Sequence, residues 1–111
     1  MYFHKAETQN FHELFPGASA ATCWGEEMLL SMVNIEPNGL VPLHSHPHEQ
    51  GGVILEGEAE FTIGGEAQTL KKGDMYVIPG NVEHSVRAGN MPVVALDIFS
   101  PVREEYKFDE Q

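Results

Sequence analysis

The stretch PLHSHPHEQGGVILEGE, residues 42–58, decides how this sequence is read. Three of the chain's six histidines and a glutamine occupy every second position from His44 to Gln50. Side chains alternate along an extended strand, so residues two apart share a face. His44 and His46 therefore project the same way, and Gln50 returns to that side after the kink at Pro47. Imidazole nitrogen is a favoured protein ligand for Zn, Fe, Ni, Cu and Mn, and two from one strand make a rigid half-site. A third histidine, His84, follows the Pro79-Gly80 turn and comes opposite the first pair if the sheet closes. Spacing alone leaves an alternative, an exposed histidine-rich loop with casual metal affinity.

The flanks read as β structure. Met28 to Ile35 is a strand-like run closed by Glu36-Pro37-Asn38-Gly39, which suits a turn. Gly51 to Leu55 is apolar, and Ala59, Phe61 and Ile63 then alternate with Glu60 and Thr62. Gly64-Gly65 is a two-residue hairpin turn, because both positions tolerate positive φ. Further strands are expected at Gln68–Leu70, Met75–Ile78, His84–Ala88 and Val93–Phe99. Short strands with turn signals between them and no long helical stretch argue a sandwich or barrel. The first 25 residues carry weaker signals: Phe3, Phe11, Leu14 and Phe15 can lay a first segment on the core, with a turn at Pro16-Gly17.

At 111 residues the chain makes one domain, residues 1–111, with enough length for one real core. Seventeen acids against six bases give a net charge of −11, which disfavours nucleic acid and anionic membrane as partners. Cys23 is the single cysteine, so no internal disulfide forms. No signal-peptide pattern opens the sequence, and no apolar run reaches the ~20 residues of a membrane helix, so a cytoplasmic location is expected.

Two stretches resemble the two short motifs of the cupin superfamily. In the first, His44-x-His46, three residues, Gln50, six residues and Gly57 fit, with glutamine where many cupins carry glutamate. In the second, Gly73, five residues, Pro79 and then His84 fit. The match runs from Gly39 to Ala88. The resemblance implies an all-β fold, the small antiparallel cupin barrel of double-stranded β-helix, jelly-roll type. It also implies one divalent transition metal (Fe, Ni, Mn or Zn) held by His44, His46, Gln50 and His84. Three departures stand out: Gly39 sits one residue closer to the first pair than usual, Asn81 replaces a glycine and Ala88 an asparagine. Asparagine also tolerates left-handed backbone. His48 is outside the pattern and is read as a pocket-mouth or surface residue; His4 and His12 are read as peripheral. Small cupins generally pair, so a homodimer is expected, with the aromatic N-terminal segment (residues 1–25) as its contact.

Glutamine changes the expected metal chemistry. Three neutral imidazoles and a neutral amide leave the ion's charge uncompensated. The ion is then the stronger Lewis acid, and an anionic substrate is favoured as the balancing charge. Four protein ligands leave two open positions in octahedral geometry and none in tetrahedral geometry.

The tail Asp97-Ile98-Phe99-Ser100-Pro101-Val102-Arg103 holds the other signal. Its bland reading is a surface pair between Asp97 and Arg103, worth about 0–1 kcal/mol. Its Asp-x-Phe-x-x-x-Arg order after a His-His-Gln-His site resembles the pectin-degradation cupins, which promote conversion of unsaturated uronates to linear keto sugars. That resemblance implies Asp97 as acid/base, Arg103 as the grip on the uronate carboxylate and Phe99 as a wall for the sugar. Gly51-Gly52 departs from that group, which carries a second polar side chain there. A metal-dependent dioxygenase and a non-catalytic small-molecule binding or sensing module are the competing classes. Gln50 favours the first reading, because iron dioxygenases more often need an anionic ligand.

Overall fold

The computed structural model describes residues 2–108, so residues 1 and 109–111 of the expected domain lie outside the described part. Ten strands follow one another: β1 His12–Phe15, β2 Ala18–Trp24, β3 Leu29–Ile35, β4 Leu40–His44, β5 Glu49–Glu56, β6 Glu58–Ile63, β7 Glu66–Lys71, β8 Met75–Ile78, β9 His84–Ala88 and β10 Val93–Ser100. Single 3-10 turns at Ala6–Thr8 and Glu104–Tyr106 are the helical segments among the described residues. None is long and apolar enough to cross a membrane.

Six strands form one antiparallel sheet in the order β1-β2-β3-β10-β5-β8, and four form the other in the order β4-β9-β6-β7. The alternation read in the sequence sets what lies between them. Along β3, Leu29, Ser31, Val33 and Ile35 are buried while Leu30, Met32 and Asn34 face out. Along β6, Ala59 and Phe61 are buried and Glu58 and Glu60 are exposed. The main core joins Val33, Ile35, Ile54, Phe61, Tyr76, Ile78, Val93 and Ala95 from both sheets. A smaller cluster of Leu29, Phe99 and Val102, with Trp24 and Tyr106 against it, closes one end. The end of the barrel that carries His44, His46 and His84 lies beside this second cluster, at the ends of β4, β9 and β10.

Two expectations need correction. The first 25 residues supply two strands and not one segment laid on the core: β1 and β2 follow a strand-free stretch, and β2 lies between β1 and β3. Leu14 and Phe15 do pack against the core, but Phe3 and Phe11 are exposed. The signal in β2 was weak because its buried residues are Ala18, Ala20, Ala21 and Thr22, too small to print an apolar alternation.

Candidate metal centre and acid/base site

The histidines converge because of register. β4 and β9 pair so that His44 stands directly opposite His84, after an irregularity between Val41 and His44. Their ring centroids are 4.2 Å apart. His46 lies beyond the end of β4, so it owes its place to a loop contact and not to strand alternation. The Asn81 N–H donates to the His46 carbonyl at 2.7 Å, tying that loop to the turn after β8. Asn81 adopts φ 67°, the left-handed conformation for which glycine is the usual choice. Beside it Gly80 lets the two backbones touch: a side chain there would strike the Pro47 carbonyl.

Each of the three rings donates Nδ1–H to a carbonyl two residues away: His44 to Pro42 at 2.7 Å, His46 to His48 at 3.1 Å and His84 to Val82 at 2.9 Å. That bond fixes the tautomer and leaves the Nε2 lone pair free, the arrangement found behind metal-ligating histidines. One nitrogen from each ring lies within 4.8 Å of the others. The Nε2 of His84 is buried with no hydrogen-bond partner, and a lone pair left so is costly unless something electropositive meets it. Burial holds the His46 imidazole down to about 4, helped by the positive charge of Arg103, and burial likewise lowers His84. Both rings are thus kept neutral, the form that ligates.

Gln50 faces this cluster from β5, with Oε1 3.1 Å from His46 Nε2. Its amide N–H donates to the Asp97 carboxylate, which fixes which end of the amide points where. Two acceptors, a carbonyl oxygen and an imidazole lone pair, are therefore held side by side. A cation between them would remove that repulsion, and at this separation both atoms would be within reach of one ion on bonds of ~2.1 Å. The residues present fit a divalent metal.

Asp97, on β10, is half-buried, and burial pushes its carboxyl up to about 6 against the opposing effects of Tyr76, Gln50 and Arg103. The Tyr76 hydroxyl donates to Asp97 Oδ1 at 2.5 Å. Tyr76 itself is held protonated, chiefly by burial and then by the charge of Asp97. Arg103 is 8% exposed, which rules out the surface-pair reading. Its guanidinium lies 4.0 Å over the Tyr106 ring and 5.1 Å from that of Phe99, while Nε donates to Glu105 at 3.1 Å. Phe99 in turn stands edge-on to His46, centroids 5.5 Å apart. Asp97, Phe99, Arg103, Gln50, His44 and His84 line one cavity whose free space, about 50 Å³, takes an ion and a few waters. A larger ligand has to extend beyond this space, which half-buried Phe15 and Tyr106 also line.

This constellation of three inward imidazoles on a two-sheet barrel agrees with a family comparison in which the cupin domain matches residues 31–99. The chain is a cupin. It is 30% identical to the pectin degradation protein KdgF of Dickeya dadantii (strain 3937) over 84 residues, 75% of this chain and 76% of that one. It is 32% identical to auxin-binding protein ABP19b of Prunus persica over 105 residues, 88% of this chain, but it spans only about half (48%) of that protein. The solved structure of KdgF from Halomonas sp. superposes with a TM-score of 0.89 at 23% identity, covering 95% of this cupin and 97% of that chain.

Of the site residues named from the sequence, His44, Gln50, His84, Asp97, Phe99 and Arg103 line this cavity, and His46 stands against His84 and Phe99 beside it. His48 is half-buried, its ring 5.5 Å from that of His46, which places it beside the site rather than on open surface. His12 stacks on Phe108 at 4.2 Å, and exposed His4 shares a shallow groove with it on another part of the barrel. Tyr76 was missed. Its only sequence signal was its inward parity in Met75-Tyr76-Val77-Ile78, which reads equally well as core.

Proposed function

We propose that this cupin is a metal-dependent isomerase- or lyase-like enzyme that converts an unsaturated uronate, or a related sugar acid, to its linear keto form. The observation that carries the reading is that Asp97 and Arg103 line the same cavity as His44, Gln50 and His84. A carboxylate near neutrality and a guanidinium beside a Lewis-acid site are what ring opening of a sugar acid requires.

The chemistry conserves atoms. The anomeric hydroxyl loses a proton, the ring C–O bond breaks to give an aldehyde, and the enol released at the former double bond regains a proton on carbon to become a ketone. A divalent ion held by His44, His46, Gln50 and His84 would supply electrophilic polarisation of a substrate oxygen. Asp97, with its carboxyl raised to about 6 by burial, is suited both to accept the first proton and to return the second at neutral pH. Arg103 presents a fork for the uronate carboxylate, and the Phe99 ring beneath it walls the sugar. At a net charge of −11 the protein repels anions at long range, so the local cations must do the attracting.

The test is direct: metal content of the purified protein, then a screen of unsaturated uronates, following loss of the double-bond absorbance. Metal-dependent turnover is expected. A metal-loaded protein inert to every uronate overturns the proposal, whether or not it binds them.

A further inference from the structure

Gly52 follows the cluster's glutamine by two residues on β5 and points the same way, into the barrel. It offers no side chain, yet its place is filled. β5 pairs with β8 so that Gly52 stands opposite Tyr76, and the Tyr76 ring and hydroxyl occupy the volume a Cβ at 52 would need. The ring is braced from behind by Phe61, centroids 4.4 Å apart. At its tip the hydroxyl donates to Asp97 Oδ1 at 2.5 Å. Asp97 also accepts from the Gln50 amide, so its carboxylate is held by two donors from two different strands. A carboxylate tied at one point can turn about its own bond; one tied at two cannot.

We propose that Tyr76, reaching through the gap left by Gly52, is the positioning residue for Asp97 and, through it, for the amide of Gln50. The inference rests on the sugar-acid reading only for what Asp97 does; the positioning itself is geometric. It also gives Gln50 a reason to be an amide. A glutamate there could face a metal equally well but could not donate to Asp97, and the chain Tyr76–Asp97–Gln50–cation would break at its middle link. Gly52 and Tyr76 form a matched pair, since the phenol reaches Asp97 only across a residue without a side chain.

Tyr76→Phe is the decisive variant, because it keeps the ring that fills the gap and deletes the donor alone. In zinc-loaded protein the side-chain amide protons of Gln50 serve as an NMR reporter needing no turnover. They are expected to move and broaden in Y76F while metal stoichiometry stays at the native value. On a uronate substrate kcat is expected to fall about 10- to 100-fold with KM within about twofold. A second variant, Gly52→Ala, is expected to reproduce both effects by driving the phenol out of its slot. If the native enzyme turns over uronate and Y76F matches its kcat, the proposal is overturned. If the native protein turns over no uronate, the function proposed above fails separately. The amide signals then decide: coincident spectra for native and Y76F overturn the positioning role, and displaced ones support it.

Discussion

His44 and His84 are directly opposed residues of β4 and β9, their ring centroids 4.2 Å apart, although the chain builds β5 through β8 between them. The backbone hydrogen bonds of that strand pair thus set the spacing of two imidazoles, without help from a loop. His46 reaches the same point by another route, a loop pinned by Asn81. Rigid strand pair and pinned loop together explain why the site should exist before any ion arrives.

From that construction, His44→Ala or His84→Ala is expected to lower metal affinity by more than about 100-fold and leave the barrel folded. Elemental analysis after dialysis, with circular dichroism for the fold, checks this. A variant that still holds one tightly bound metal per chain removes that residue from the ligand set.

Gln50→Glu is expected to keep the metal and lose the donor to Asp97. Two carboxylates would then stand together, so the pH at which Asp97 ionises should rise and the metal's Lewis acidity should fall. The pH–rate profile on a turned-over substrate reads both, and an unchanged profile contradicts the account of the amide.

Metal-free protein should show opposing pH effects at Asp97 and His46. Asp97 has its folded value raised from 3.8 to about 6, so the stability it contributes is present below that ordinary value and lost as pH rises through 6. His46 has its folded value lowered from 6.5 to about 4, so its contribution is present above 6.5 and lost as pH falls through 4. His84 is lowered in the same direction as His46, so the two imidazoles together outweigh Asp97 and the native stability should rise with pH across this window. Asp97→Asn should stabilise the metal-free protein at pH 7 by about 1–3 kcal/mol, with the gain gone near pH 4, while abolishing turnover. Thermal melts across pH check it; an Asn variant less stable than native at pH 7 refutes the burial argument.

Arg103→Ala is expected to weaken uronate binding by about 2–5 kcal/mol, since a desolvated carboxylate loses its partner. Lysine at the same position should recover little, because the guanidinium lies flat on Tyr106 and Phe99 and a point charge cannot stack so. Calorimetry with a uronate, at constant metal loading, makes the measurement.

A homodimer is the expected state in solution. The outer face of the larger sheet carries two apolar rows, Ala21-Met32-Leu96-Val53-Met75 and Cys23-Leu30-Ile98-Gly51-Val77, each crossing five paired strands without a charge. Tyr2 and Phe3, 93% and 79% exposed, belong to the N-terminal segment expected at the contact. On a chain of net charge −11, these two charge-free rows are where a second copy meets least repulsion. Light scattering should give twice 12.3 kDa, and Ile98→Lys should shift it toward monomer. Only monomer at micromolar concentration refutes the expectation.

The sequence by itself determined β3 and the strands from β5 onward, the Gly64-Gly65 hairpin with both φ values positive, and the two motifs that carry His44, His46, Gln50 and His84. These are local signals, a period of two in burial and the backbone tolerance of glycine and asparagine. What only the tertiary structure decided is how side chains from distant strands meet. β2 is an interior strand although its small residues leave no pattern. Arg103 is buried because Phe99 and Tyr106 stack on its guanidinium, where its sequence context allowed a surface ion pair. Tyr76 is the donor to Asp97 because β5 and β8 pair in the register that sets it opposite Gly52. Register is a property of two strands at once, and no window on one strand contains it.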